Sequence, residues 1–519
     1  MTNPASSEPA AQPVLTPAPP IVGVIGCGVM GRGIVQIAAL AGSHVHLVDA
    51  REGAAAAAKD TLTTTFETLT HRGKLTVEAA TAALSRIMPA TSLAALADCD
   101  LIIEAIIEDL DAKKALFATL ENIVGPQAIL ASNTSSLAVT AIAAGLKHPS
   151  RVVGFHFFNP VPVMKIVEVI GGMLTDARVV EQMLAIGQAW GHTAVRAKDT
   201  PGFIVNHAGR GFGTEGMRIL SENVTTVAPL DAILRDTAGF KLGPCELMDM
   251  TGLDVSHPVM ESIYRQYYDE PRFRPQGLTR QMLSAGLLGR KVGRGFYQYD
   301  AAGKKILDAV SAQAQAQAHA PATSVWLSRA QPALAERLLA AGVSVESGAV
   351  PSADALCIVT PLGQDCTSCV VAEGLDARRT VAIDALFDSP LHHVLMTNPA
   401  TDPTYLAQAC SLFAANGAQV SVIRDSSGLV AQRVVAHIIN VACEIAQQAI
   451  ALPADIDRAV VLGLGYPHGP LAWGDRLGAA TVLQILTCLQ QQTGDMRYRP
   501  SAWLQRRAVL GLSLLHTET

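Results

Sequence analysis

The chain has 519 residues, with 39 Lys+Arg against 45 Asp+Glu for a formal charge of −6, and it is 49% hydrophobic and 16% charged. That length exceeds one ordinary core, because a domain takes roughly 100–200 residues. The slightly acidic balance supplies no basic stripe for a phosphate backbone or an anionic membrane, so neither nucleic acid nor membrane is expected as a partner.

Residues 1–20 hold six prolines and no Lys or Arg, so they lack the basic and apolar regions of a secretory signal and predict a disordered tail. The apolar run from Leu101 to Asp109 is broken by carboxylates well short of the ~20 residues that span a membrane. Nine cysteines at irregular spacing fit a reducing cytoplasm. Cys366 and Cys369 form a lone CxxC without a second pair at zinc spacing, so no metal site is expected.

From Ile21 the chain reads as a βαβ unit: the strand IVGVI, the turn Gly26-Cys-Gly28-Val-Met-Gly31, a small-residue helix, and the strand HVHLVD. Gly26 suits the tight turn, Gly28 lets backbone approach a pyrophosphate, and Gly31 allows close helix–strand packing. Asp49, about 20 residues on, is placed to accept ribose hydroxyls and to repel a 2′-phosphate, which favours NAD over NADP. DLIIEAI, AILASN, VVGFHFF and KIVEVI continue the pattern and predict a doubly wound α/β sheet. Polar residues cluster at the predicted carboxyl ends of these strands, namely Glu104, Glu108, Asn133, Ser135, His156, Asn159 and Glu168. Ligands of such sheets sit there.

His156 and Glu168 each interrupt an apolar strand, and both need partners. Removing the proton of an alcohol as its hydride departs calls for a base tuned near neutral pH, which a carboxylate-held imidazole provides. In KDTPGFIVN, Asp199 or Thr200 is expected to cap a helix with Pro201 in its first turn. Asn206 then lies one to two turns inside, its amide available to a carbonyl oxygen.

These segments, with EAIIEDLDAKKALF, ASNTSSL, GFHFFNPVPVMKIVEVI, GFKLGPCELMDMTGLD and GRKVGRGFYQY, resemble the 3-hydroxyacyl-CoA dehydrogenase family over roughly Ile21 to Asp300. The resemblance implies a Rossmann-like domain followed by an all-α domain, acting with NAD on an acyl-CoA. It implies that His156 is the general base, Glu168 its partner, Ser135 a donor to the 3-oxygen and Asn206 a substrate contact. Gly26, Gly28, Gly31 and Asp49 would hold the adenosine half of NAD. Glu108, Lys113, Asn133, Ser135, Asn159 and Lys291 are further expected cofactor contacts. Lys74 matches a lysine near the CoA phosphates, although a solvated helix lysine explains it equally well. His207 departs from the arginine that usually follows the family's asparagine.

The family's minimal enzyme would end near Asp300, and an internal repeat accounts for much of the remainder. Gly239-Phe-Lys-Leu-Gly-Pro244 recurs as Gly465-Tyr-Pro-His-Gly-Pro470, 226 residues later, and the same offset pairs Asp199 with Asp425, Gly202 with Gly428, Asp231 with Asp457, Asp249 with Asp475 and Gly252 with Gly478. This is a duplicated helical domain. Asn206 becomes Gln432, and matching Asn159-Pro160 to Asn398-Pro399 puts Leu395 in place of His156. SVWL, VSVES, ALCIVTPL, RTVAIDAL and HHVLMTN therefore predict a reduced Rossmann-like domain without nucleotide.

The expected organisation is a tail at 1–20, an NAD domain at 21–198, a helical domain at 199–302, a linker at 303–322, a degenerate Rossmann-like domain at 323–424 and a second helical domain at 425–519. In the family the helical domain pairs across a two-fold axis, so the second copy is expected to supply part of that contact within the chain, alongside any homo-oligomer. Fused architecture of this kind resembles dehydrogenases of bacterial phenylacetate catabolism, which act on 3-hydroxyadipyl-CoA, and some 3-hydroxybutyryl-CoA dehydrogenases. A dicarboxylic chain needs a cation at its far end, for which Arg210, Arg218 and Arg235 are candidates. The rival readings are a lysine-dependent β-hydroxyacid dehydrogenase and a non-catalytic NAD-binding assembly protein.

Overall fold

The computed structural model describes residues 19–306, 320–328, 331–346 and 348–518. Most of the expected N-terminal tail and most of the expected linker lie outside the described residues. The first eight strands are β1 (Val22–Ile25), β2 (Val45–Val48), β3 (Ile87–Pro89), β4 (Leu101–Glu104), β5 (Ile129–Ser132), β6 (Val152–Phe157), β7 (Ile166–Gly171) and β8 (Thr193–Lys198). They form one sheet in the order β3-β2-β1-β4-β5-β6-β7-β8, parallel from β3 through β6. That order over the first six strands is the dinucleotide-binding one, with its switch point between β1 and β4. Strands β1 and β4 are buried along their whole length. Helices cover both faces of such a sheet, so unbroken apolar runs such as Val22–Ile25 form its centre.

A hairpin of β9 (Gln298–Tyr299) and β10 (Lys305–Ile306) follows. The second sheet comprises β11 (Ser324–Leu327), β12 (Ser344–Glu346), β13 (Leu356–Val359), β14 (Thr380–Ile383), β15 (His392–Met396) and β16 (Gln419–Ile423), in the order β12-β11-β13-β14-β15-β16. The β14–β15 pair is antiparallel and the other pairs are parallel.

The chain divides into two compact units. One runs to Thr134 and adds Ala141–Val167 and Leu174–Thr193, and the other takes Ser135–Thr140, Glu168–Met173 and everything from Ala194. In the first unit the helix Val29–Leu40 starts at Gly28 and packs against β1. A Cβ on Gly31 would lie 1.8 Å from the Gly26 carbonyl oxygen, which is the close approach expected of that glycine.

The second unit is built around the helix Val430–Gln447, which is buried along most of its length, its polar stripe of Arg433, His437 and Asn440 included. A helix buried on its polar stripe as well as on its apolar face must be enclosed by others. Its neighbour Arg210–Ser221 approaches so closely that a Cβ on Gly211 would meet the Ile438 backbone at 2.9 Å. The 226-residue offset lays Val430–Gln447 over Val205–Ala208 and Arg210–Ser221, so the two copies meet along equivalent helices.

The duplicated acids do the same work in both copies. Asp231 accepts from the Cys245 and Glu246 amides, and Asp457 from those of Leu471 and Ala472. Asp249 accepts from Phe296 and Tyr297, while Asp475 accepts from Leu514. Gly252 and Gly478 both hold positive φ, 86° and 89°, where a side chain is strained.

Two expectations are corrected here. Asp199 does not cap its own helix. Its carboxylate accepts from the Val139 and Thr140 amides at 2.9 and 2.7 Å, and Asp425 likewise holds the Cys366 and Thr367 amides. The register taken from the Asn-Pro pairs also fails. The Asp176-capped helix Ala177–Ala189 between β7 and β8 recurs, at the same offset, as the Asp402-capped helix Pro403–Ala414 between β15 and β16. Strand β15 thus corresponds to β7 and Val394 stands where Glu168 does, while β14, which follows the helix held by Asp425 and lies beside β15 as β6 lies beside β7, is the counterpart of β6 and carries no histidine.

Candidate functional site

In the first unit the glycine-rich turn is shaped by its neighbours. Gly26 has φ +106°, and a Cβ there would lie 2.4 Å from the Ala105 carbonyl oxygen. Around Gly28, by contrast, a Cβ would meet nothing within 4 Å. An exposed glycine at the start of a twelve-residue helix, with open space beside it, is the cradle a pyrophosphate needs, so these residues fit NAD. Asp49, just past β2, receives the Cys27 amide at 2.7 Å and the Arg51 amide and Nε at 3.0 Å each. The hydrogen bond from the Arg51 guanidinium holds the Asp49 carboxyl well below the usual carboxylate range, so it stays anionic.

Strand β4 ends in the buried Glu104, which accepts from the Lys113 ammonium at 2.5 Å and the Ser132 hydroxyl at 2.6 Å. Lys113 also reaches Glu108 at 3.3 Å, and Glu108 accepts from the Thr134 hydroxyl at 2.7 Å. The structure therefore places Lys113 inside, as the clamp of two carboxylates, with the exposed Glu108 facing outward. Asn133 Oδ1 accepts from the Phe157 amide at 2.8 Å and ties the end of β5 to β6. His156, on β6, is 5% exposed and its ring lies 4.4 Å from that of Phe158. Asn159 is exposed just beyond, and Lys74 is exposed after the helix Ala54–His71.

The second unit brings Glu168, Asn206 and Ser135 together. Glu168 lies on β7 with 0% exposure, and its Oε1 accepts from the backbone amides of Ile204 and Val205 at 2.9 and 3.0 Å. The carboxylate thereby serves as the N-cap of the short helix Val205–Ala208 that carries Asn206. Sequence reasoning missed this link, because the acid and its amides are 36 and 37 residues apart. Asn206 Nδ2 donates to the Ser135 carbonyl oxygen at 3.4 Å. Lys291, in the turn Arg290–Val292, is paired with Asp254.

His207 points away from this group. It is fully buried between the rings of Tyr267 and Phe273 and shares a 3.0 Å hydrogen bond with the Tyr267 hydroxyl. Burial, then the charges of Arg210 and Arg272, push its pKa down to about 3, so the ring is neutral.

At the matching position of the second copy, Gln432 is fully engaged. Its two N–H groups donate to the Pro361 carbonyl and to Asp384 Oδ1, both at 3.0 Å, and its oxygen accepts from the Gly363 amide. Cys366 and Cys369 are buried, and burial pushes the Cys366 thiol up to about 12. Among the described residues no group of three His, Cys, Asp or Glu side chains could hold a metal, and no helix is long and apolar enough to cross a membrane.

Residues 21–200 match the model of the 3-hydroxyacyl-CoA dehydrogenase NAD binding domain, and residues 202–299 and again 428–513 match that of the 3-hydroxyacyl-CoA dehydrogenase C-terminal domain. The chain is 39% identical to 3-hydroxyadipyl-CoA dehydrogenase of Escherichia coli over 94% of its own length and 97% of that protein's. A probable 3-hydroxybutyryl-CoA dehydrogenase of Deinococcus radiodurans is 39% identical over 53% of this chain and 99% of its own. A crystal structure of 3-hydroxybutyryl-CoA dehydrogenase from Escherichia coli superposes with a TM-score of 0.82 at 36% identity, covering 95% of this chain and 98% of that one.

Proposed function

The chain belongs to the 3-hydroxyacyl-CoA dehydrogenase family, and from that premise we propose that it oxidises (3S)-3-hydroxyacyl-CoA esters to 3-oxoacyl-CoA, with 3-hydroxyadipyl-CoA as its substrate. NAD, when bound, supplies the hydride acceptor. The observation that carries the reading is the double hydrogen bond from the Ile204 and Val205 amides to Glu168. It fixes a buried carboxylate one residue before Asn206, in the group that also contains Ser135.

In this reading the His156 imidazole takes the proton from the C3 hydroxyl as the C3 hydrogen leaves as hydride. Glu168 fixes the tautomer of that ring and stabilises the imidazolium. Ser135 donates to the 3-oxygen, and the Asn206 amide positions the acyl group. Gly26, Gly28, Gly31 and Asp49 hold the adenosine half of the cofactor, with Glu108, Asn133, Asn159 and Lys291 around the remainder. Lys113 acts behind them by orienting Glu108, and Lys74 is a CoA-phosphate contact.

Near-full-length similarity to a 3-hydroxyadipyl-CoA dehydrogenase supports the dicarboxylic substrate. The names of the half-length relatives favour a second reading in which 3-hydroxybutyryl-CoA is preferred.

The test follows NADH absorbance with acetoacetyl-CoA, comparing the wild type with His156→Ala. Loss of a general base should lower kcat by about 10²–10⁴-fold. Equal rates would remove His156 from the chemistry. NADH binding without turnover of any CoA ester would leave the assembly-protein reading standing.

A further inference from the structure

Three arginines of the first helical copy could meet a distant carboxylate, and two are already taken. Arg218 is paired with Glu222 at 2.7 Å and Asp495 at 2.5 Å, and Arg235 with Glu246 at 2.7 Å. Arg210 differs. Its Nε donates to the Asn206 carbonyl oxygen at 2.9 Å, which folds the side chain back toward the start of the helix. Among the described residues it pairs with no carboxylate, and its two terminal nitrogens, which have no protein partner, are not sealed from solvent.

A half-buried guanidinium whose outer N–H pairs are uncommitted and reached by solvent is open to an incoming anion. The planar fork matches a carboxylate in bidentate fashion. Burial pushes the Arg210 pKa down to about 10, so it remains a cation at neutral pH.

The second copy supplies a companion. Tyr466 occupies the position that Phe240 holds in the first copy, and its ring packs against Phe212 at 5.8 Å and Phe240 at 5.1 Å. Phenylalanine suffices for that packing, so the hydroxyl is surplus to it. Among the described residues the hydroxyl has no hydrogen-bond partner, and it too keeps access to solvent. Phe212, against whose ring Tyr466 packs, lies two residues from Arg210 on the same helix, which puts a cation and an O–H donor in one neighbourhood, and the two groups act on each other electrostatically. Burial raises the phenol's pKa, so it stays a donor.

We propose that Arg210 and the Tyr466 hydroxyl together bind the terminal carboxylate of a dicarboxylic acyl-CoA, so that the second copy contributes a specificity residue. This rests on the dehydrogenase reading, in which Asn206 positions the reacting end of the substrate. Arg210 is four residues, just over one turn or about 6 Å of helical rise, further along from Asn206. In a six-carbon diacid the far carboxylate is three carbons beyond C3, on the scale of that one turn.

The experiment compares kcat/KM for 3-hydroxyadipyl-CoA and 3-hydroxyhexanoyl-CoA, of equal length but without the second acid, in wild type, Arg210→Met, Arg210→Lys and Tyr466→Phe. The expected result is a fall in the adipyl-to-hexanoyl ratio of about 100-fold for Arg210→Met and about 10-fold for Tyr466→Phe, carried by KM, with partial recovery in Arg210→Lys. Turnover of the hexanoyl ester reports that each variant is folded, and Tyr466→Phe tests the site independently should Arg210→Met fail to fold. A ratio unmoved by both changes overturns the inference while leaving the dehydrogenase intact. Absence of wild-type turnover with either ester overturns the dehydrogenase reading and this inference with it.

Discussion

Glu168 Oε1 accepts the Val205 amide at 3.0 Å, and the same oxygen holds the Ile204 amide, so one carboxylate joins strand β7 to the turn that delivers Asn206. Its structural and chemical duties can be separated. Glu168→Gln keeps an acceptor for the two amides and loses the charge, whereas Glu168→Ala leaves both amides unpaired, at about 1–3 kcal/mol each. We expect Glu168→Gln to melt near the wild type and to lose about 10²–10⁴-fold in kcat. Thermal melts beside acetoacetyl-CoA kinetics check this, and an unchanged kcat would reduce Glu168 to a cap.

The glycines of the nucleotide turn should respond to alanine in opposite ways. At Gly28 the backbone is extended and a Cβ meets nothing, so Gly28→Ala should fold normally while filling the space a pyrophosphate would use. Its affinity for NADH, read by fluorescence titration, should drop about tenfold or more, or at least ~1.4 kcal/mol. Gly31→Ala forces a Cβ into the Gly26 carbonyl and should fail as a folded protein before binding can be measured.

The second copy retains architecture without a free site. Gln432→Ala would strip partners from the buried Asp384 and from the Gly363 amide, at a cost of about 2–4 kcal/mol. The expected outcome is a lower Tm with kcat preserved at temperatures where the variant is folded. A fall in kcat at full folding would show that the second copy takes part in the reaction.

How much of this was legible depended on how local each signal was. β4 could be read because Leu101–Ile103 is an unbroken apolar run, and the nucleotide turn because three glycines at fixed spacing carry its geometry. The helical repeat was legible because Asp231/Asp457 and Gly252/Gly478 occupy positions that only those residue types satisfy. β8 was missed because Arg196 and Lys198 interrupt its apolar pattern. The duty of Asp199 was misassigned because its acceptors serve amides about 60 residues away, while the adjacent Pro201 suggested a local cap. Two chance Asn-Pro pairs misled the register of the second sheet, where the counterpart of β6 is Thr380–Ile383 and bears no histidine.

Acid should weaken the fold through His207. Its folded pKa, about 3, lies below the ordinary value near 6.5. The unfolded chain therefore takes up a proton first, and the stability, present in full above pH ~6.5, is lost as pH falls toward the folded value. One such ring contributes a slope of about 1.4 kcal/mol per pH unit within that window. His207→Phe should flatten the dependence of Tm on pH between about 6 and 4. An identical slope in the variant would mean that the ring titrates normally.

The identity of that histidine is explained by the contact between the copies. The 226-residue offset pairs His207 with Arg433 and Glu215 with Val441. Arg433 and Glu215 form a buried ion pair, Nη2 to Oε1 at 2.8 Å, with the Tyr498 hydroxyl donating to the same oxygen at 2.7 Å. The symmetry-related positions hold His207 and Val441, neutral and apolar. A symmetric dimer would need two such pairs, but a fused chain can keep one, and removing both charges of the other avoids a desolvation cost. Burial alone would raise the Glu215 pKa, yet Arg433 and Arg497 hold it down to about 2. Arg433→Met removes that carboxylate's nearest counter-charge and should cost about 3–5 kcal/mol. Adding Glu215→Leu should return much of the loss. Chemical denaturation of the single and double variants decides it, and a double variant no more stable than Arg433→Met would show that the two side chains are not coupled.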